Sequence, residues 1–163
     1  MIDSELYDIA EETLTRLRAS SLMIATAESC TGGMIGAALT AVPGSSDVVD
    51  RGFITYTNSA KVEMLGVDAA LLGPGGPGAV SKPVAQQMAE GALSRCQAQI
   101  AIAVTGVAGP GASERKPAGL VFIGCAIRDK QTIVEEHHFP GDRAAVRRAT
   151  VIAALALAVR QAC

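Results

Sequence analysis

The run Ile100-Ala101-Ile102-Ala103-Val104 constrains the fold more than any other part of the chain. Five consecutive apolar residues leave no polar side chain to face water, so they read as a central strand covered on both faces. Such a strand calls for a sheet with helices packed on either side. The sequence supplies them. From Ser4 to Arg18, Leu6, Ile9, Ala10, Leu14 and Leu17 recur at three- and four-residue steps, with acids early and arginines late, as an amphipathic helix and its dipole require.

The remaining elements alternate in the same way. A short strand is expected around Leu22 to Ala27, a helix from about Thr31 to Thr40, a turn at Pro43-Gly44-Ser45-Ser46 and a strand over Val48 to Tyr56. Asn58 to Leu65 reads as a helix capped by Asn58 or Ser59 and stopped by Gly66. Gly73 to Gly78 is too rich in Gly and Pro to continue it. Ser81 to Cys96 opens another helix with a Ser cap and Pro83 in the first turn. Leu120 to Ile127 and Thr132 to Phe139 read as an antiparallel hairpin, and Arg143 to Gln161 as the closing helix. Strands alternating with helices and ending in one hairpin imply an α/β fold with a mixed sheet between helical layers. No repeat or linker divides the chain, so one domain spanning 1–163 is expected.

Composition narrows the function. Aromatic residues are 3% with no Trp, which argues against base-stacking platforms, and a net charge of −2 offers phosphate backbones no general attraction. Nucleic-acid binding is therefore not expected. No apolar stretch approaches the roughly 20 residues that span a bilayer, and the acidic start is unlike a secretory signal. Cys30, Cys96, Cys125 and Cys163 form no C-x-x-C pair, which disfavours structural zinc and suits reduced thiols in a cytoplasmic protein.

Three segments could carry chemistry. The first, Thr26-Ala27-Glu28-Ser29-Cys30-Thr31-Gly32-Gly33, places Ser29, Cys30 and Thr31 between a strand and a helix, where unpaired backbone N–H groups favour anions. Helix capping by Ser29 or Thr31 is the ordinary alternative. A serine hydroxyl needs a base to become a nucleophile. His137 and His138 are adjacent in an expected strand, so they face opposite ways and cannot serve one site together. Lys61, in Thr55-Tyr56-Thr57-Asn58-Ser59-Ala60-Lys61, is the other candidate, provided that burial or nearby cations lower its pKa. An exposed helix lysine is the alternative there. The third segment, Thr105-Gly106-Val107-Ala108-Gly109-Pro110-Gly111, lets backbone approach a ligand after a buried strand, yet it lacks the Gly-Lys-Ser/Thr of a nucleoside-triphosphate loop. Glu11-Glu12 and Glu135-Glu136 suggest no metal site, and Arg143 could hold a phosphate or carboxylate.

Read in order, these three segments resemble the CinA C-terminal domain family. The similarity continues through Gly66-Val67, Gly78-Ala79-Val80-Ser81 and Lys116-Pro117-Ala118-Gly119-Leu120-Val121 to Phe139-Pro140-Gly141-Asp142-Arg143. Enzymatic members deamidate nicotinamide mononucleotide to nicotinic acid mononucleotide and ammonia. The resemblance implies Ser29 as nucleophile and Lys61 as base, with Cys30, Thr31, Gly32, Gly33, Tyr56, Thr105, Gly106 and Arg143 contributing to substrate binding. Amides near Thr31 to Gly33 would receive the oxyanion. It also implies a three-layer α/β/α fold with a mixed, mostly parallel sheet of about five strands, and a homo-oligomer. The family often has Ser where Thr57 stands, and glycines where this chain has Gly111-Ala112-Ser113. Longer members carry a separate N-terminal domain with no counterpart here, so no pyrophosphatase activity, metal or cofactor is expected. Two alternatives stay open: Cys30 as nucleophile, and a non-catalytic pyridine-nucleotide-binding or interaction module of the same fold.

Overall fold

Alternate residues of the central strand differ in size, and that difference separates two helical layers. In the computed structural model, which describes residues 1–113 and 115–162, strand β3 spans Ile100–Gly106. Its Ile100, Ile102 and Val104 join one apolar cluster, and its Ala101 and Ala103 join a second on the opposite face. The same two-residue period runs through β1, Ile24–Glu28, where Ile24 belongs to the first cluster and Ala25 and Ala27 to the second.

Helix α1, Ser4–Ala19, lies on the large-residue face, as do α2, Met34–Thr40, and α6, Arg143–Ala162. Their Leu6, Leu14, Leu17, Ile35, Leu39, Val151 and Leu155 are fully buried there. Helices α3, Asn58–Leu65, and α5, Lys82–Ser94, cover the alanine face, with a short α4, Ala69–Leu72, between them. Small residues let α5 settle close to the sheet. A Cβ added at Gly124 would come within 2.7 Å of the Ala85 carbonyl oxygen.

Among the described residues the strands form one five-stranded sheet in the order β2-β1-β3-β4-β5, with β2 at Val49–Ile54, β4 at Leu120–Ile127 and β5 at Ile133–His138. Strands β2, β1 and β3 are parallel, while β4 runs antiparallel to both β3 and β5. The expected three-layer α/β fold with a mixed, mostly parallel sheet is the one observed. From β1 the chain crosses one face to β2, then returns across the other face to β3 on the far side of β1. Neighbouring connections thus diverge between β1 and β3, which opens a crevice at their carboxyl ends.

Several boundaries differ from expectation. Helix α2 starts at Met34 rather than Thr31, because Gly32-Gly33 first make a turn with positive φ. Helix α3 is capped by Thr57, whose hydroxyl accepts from the Ala60 N–H, not by Asn58 or Ser59. It ends at Gly66 as expected, in a left-handed conformation at φ 69° that suits glycine. Cys30, Cys96 and Cys125 are free and buried, and Cys163 lies outside the described residues. Among those residues no helix is long and apolar enough to cross a membrane.

Candidate active site

The two-residue period of β1 assigns directions to the side chains at its end. Thr26 and Glu28 follow Ile24 toward α2, so the next residue, Ser29, turns toward the α3 side of the sheet. Its N–H still bonds the Val104 carbonyl of β3, at 3.1 Å, which extends the ladder one residue and fixes the serine. Cys30 turns back, and its side chain joins the large-residue cluster. Neighbouring nucleophile candidates therefore face opposite sides.

Glu28 is 1% exposed and occupies the N-terminus of α2. Its Oε1 accepts from the Thr31 hydroxyl at 2.7 Å, the Ile35 N–H at 2.9 Å and the Gly33 N–H at 3.2 Å; its Oε2 accepts from the Gly36 N–H at 3.0 Å. The helix end that the sequence offered to an anion is thus taken by the protein's own carboxylate. The Gly32 N–H is spent as well, on the Ser29 carbonyl at 3.0 Å. Of the amides near Thr31 to Gly33 expected to receive an oxyanion, those of Gly32 and Gly33 already have acceptors. Thr31 is fully buried, and Thr31, Gly32 and Gly33 shape the turn behind the cavity rather than its wall.

On the opposite side of the crevice, β2 ends and α3 begins. Thr55 continues beside β1, its N–H bonding the Glu28 carbonyl at 2.9 Å. The Thr57 cap then starts α3 so that Lys61, in its first turn, points back under the loop. Lys61 is 1% exposed, and its Nζ lies 3.0 Å from Ser29 Oγ, 2.8 Å from the Thr55 carbonyl oxygen and 3.3 Å from that of Tyr56. It is not the exposed helix lysine that its position in sequence allowed.

Ser29 and Lys61 open onto a cavity of about 200 Å³ that Cys30, Tyr56, Thr105, Gly106 and Arg143 also line. Thr105, at the end of β3, donates its hydroxyl to the Ala79 carbonyl at 2.9 Å and so holds the loop before α5 against the site. Arg143, at the start of α6, donates to the Tyr56 hydroxyl at 2.9 Å and the Gly109 carbonyl at 2.8 Å. These two bonds join two loops across the mouth. A wider depression of about 660 Å³ shares Ala108 and Arg143 with the first.

Electrostatics separate the two adjacent nucleophile candidates further. Burial, above all, pushes the Cys30 thiol up to about 11, so it is protonated at neutral pH. The histidines stay out of the site. His137 Nε2 lies 2.9 Å from Glu135 and its ring stacks on Phe139 at 5.0 Å, while His138 leans toward Glu136 on the other face of β5. Among the described residues no three His, Cys, Asp or Glu side chains gather where they could hold a metal ion.

The family model for the CinA C-terminal domain matches residues 6–162. The chain belongs to the CinA C-terminal domain family. Nicotinamide-nucleotide amidohydrolase PncC of Escherichia coli strain K12 is 44% identical over 156 residues, which cover 95% of this chain and 93% of that protein. A CinA-like protein of Syntrophobacter fumaroxidans is 48% identical over 143 residues, 87% of this chain but only 33% of that longer protein. Among solved structures, competence/damage inducible protein CihA from Agrobacterium tumefaciens superposes with a TM-score of 0.92 at 45% identity, covering 98% of this chain and 97% of that one.

Some contributors to this CinA-type site gave little signal in the sequence. Asn58, at the start of α3, and Ala79, Val80, Ala108 and Ser113 also line the cavity; they lie in or beside the quoted segments, but none carries a side chain that marks it as a site residue. The Thr55 and Tyr56 contributions come from carbonyls, which any residue carries. Glu28 did leave a clue, a charged residue closing an otherwise apolar strand, although its role as the cap of α2 was not anticipated.

Proposed function

We propose that this protein is an amidohydrolase that converts nicotinamide mononucleotide to nicotinic acid mononucleotide and ammonia, with Ser29 as nucleophile and Lys61 as base. The observation that carries this reading is the 3.0 Å approach of a fully buried lysine amine to a serine hydroxyl at the wall of a cavity. The names of relatives such as the Escherichia coli amidohydrolase supply the substrate.

A neutral amine has two N–H groups and one lone pair. Lys61 Nζ reaches the carbonyls of Thr55 and Tyr56 at 2.8 and 3.3 Å and lies 3.0 Å from Ser29 Oγ, within reach of the serine proton. The reaction requires this amine in its uncharged form. Lys61 takes the Ser29 proton as Oγ attacks the carboxamide carbon, and the resulting ammonium returns it to the departing nitrogen, releasing ammonia. Water, deprotonated by the same amine, then hydrolyses the acyl-enzyme to the carboxylic acid and restores Ser29. Arg143 at the mouth supplies a charged donor for the substrate phosphate, beside the amides that follow Thr105. The same reading makes the protein a cytoplasmic homo-oligomer.

Incubating the purified protein with nicotinamide mononucleotide and weighing the product tests the reaction class. Amide-to-acid conversion adds about one dalton and releases one ammonia per substrate. Calorimetric binding of the nucleotide with no such product would instead make this a non-catalytic binding module.

A further inference from the structure

We infer that Lys116 is a positioning residue that pins residues 77–80 against the cavity at Ser29 and Lys61, and so sets how firmly the ring bearing the carboxamide is held. This deepens the amidohydrolase reading above and rests on it.

Part of the cavity wall beside Ser29 is backbone that belongs to no strand or helix. In the parallel register of β1 and β3, Glu28 lies opposite Val104, so Ser29 and Thr105 are the next neighbours. Thr105 donates to the Ala79 carbonyl at 2.9 Å, which brings residues 79 and 80 beside the nucleophile, and both line the cavity. A ring joined directly to the carbon that Ser29 attacks must lie next to the serine. Ala79, Val80 and Ala108 are the aliphatic side chains that the cavity offers to it.

Irregular backbone has no ladder to satisfy its carbonyls, so other donors must do so. Here four carbonyls in a row accept from side chains. That of Pro77 accepts from Lys116 Nζ at 2.6 Å, that of Gly78 from the Ser81 hydroxyl at 2.7 Å, that of Ala79 from Thr105, and that of Val80 again from Lys116 Nζ. Ser81 precedes α5 and makes no side-chain cap on it, its hydroxyl being spent on this segment. Two of the four bonds come from one ammonium, which has three donors to give. Lys116 belongs to a different loop. Its N–H and carbonyl exchange hydrogen bonds with Ser113 at 2.8 and 3.0 Å, and Ser113 also lines the cavity. One residue thus ties two parts of the wall together without lining the cavity itself.

The test sets Lys116→Ala, Lys116→Met and Lys116→Arg beside the parent enzyme, reading steady-state kinetics on nicotinamide mononucleotide and hydrogen exchange of the amides from Gly76 to Ser81. The alanine and methionine variants are expected to raise KM about tenfold with kcat within about threefold, as loss of binding shared by ground and transition states does. Exchange from Gly76 to Ser81 should quicken about tenfold or more while that of β1 and β3 stays at the parent rate. Lys116→Arg, which keeps a charged donor of similar reach, should recover most of both effects. If the alanine and methionine variants do not fold, Lys116→Gln, which keeps an NH2 donor, carries the same two readouts. A raised KM with parent-like exchange makes Lys116 a direct ligand of the nucleotide and overturns the inference. Faster exchange with unchanged KM overturns it as well and leaves Lys116 a structural tie, and so does a fall in kcat alone. An inactive parent, or full activity in Ser29→Ala, would instead remove the reading on which the inference rests.

Discussion

Ser29 and Cys30 are neighbours in the chain with different surroundings. The serine faces the Lys61 amine, while the thiol is packed among apolar side chains that hold its pKa near 11. With that pKa, only about one thiol in a thousand is ionised at pH 8. Iodoacetamide at pH 8 is expected to label Cys30 slowly, and Cys30→Ala to keep kcat within about threefold. Loss of activity in that variant with Ser29→Ala active would reverse the assignment. Glu28 carries a different expectation. It satisfies three amides and one hydroxyl at the start of α2, and a glutamine would present an NH2 group to some of those donors. Glu28→Gln should lose about 3 kcal/mol in urea unfolding. A change below about 0.5 kcal/mol would show that the carboxylate is not holding the turn.

Helix α3 carries Lys61 to within 3.0 Å of Ser29, and its placement depends on α5. Gly91 of α5 lies against the end of α3, where an added Cβ would be 1.9 Å from the Leu65 carbonyl oxygen. Backbone cannot yield there as a flexible side chain would. Gly91→Ala should cost about 3 kcal/mol, and the displaced α3 should lower kcat by withdrawing Lys61 from Ser29. Full stability with unchanged kcat would mean that the helices separate without moving the lysine. At this scale the sequence was largely legible. The periods of α1, α5 and β3 and the Gly66 stop placed elements to within a residue or two. Helix α4 escaped because four residues, Ala69–Leu72, are too few to display a helical period. The start of α2 was misplaced because Thr31 looks like a cap, yet its hydroxyl donates to Glu28 before the helix begins.

The order of strands puts Ser29 and Thr105 side by side at the carboxyl ends of β1 and β3, where successive connections diverge. Local patterns identify the strands but not their order, so the meeting of residues 29, 61, 105 and 143 was accessible only through the family resemblance. Long-range ties of this kind also close the molecule. Asp3 caps α1 through the Leu6 N–H and pairs with Arg148 of α6. Its bond to Arg148, then its bond to Leu6, hold its pKa near 2 against 3.8 for a free side chain. A folded-state pKa below the unfolded one gives stability that is present above about pH 4 and lost as pH falls through about 2. Asp3→Asn, which keeps a capping oxygen, should lower the melting midpoint by about 2–4 °C at pH 7, with the difference closing between pH 4 and 2. A difference that persists at pH 2 would rule out the ion pair as its source.

The pairing of Ser29 with Lys61 is the claim on which the rest depends, and single-turnover ammonia release from nicotinamide mononucleotide measures it most directly. The parent enzyme should release one ammonia per nucleotide, and Ser29→Ala and Lys61→Ala, both folded by circular dichroism, should each be slower by about 10³-fold or more. Either variant working within tenfold of the parent would contradict the account.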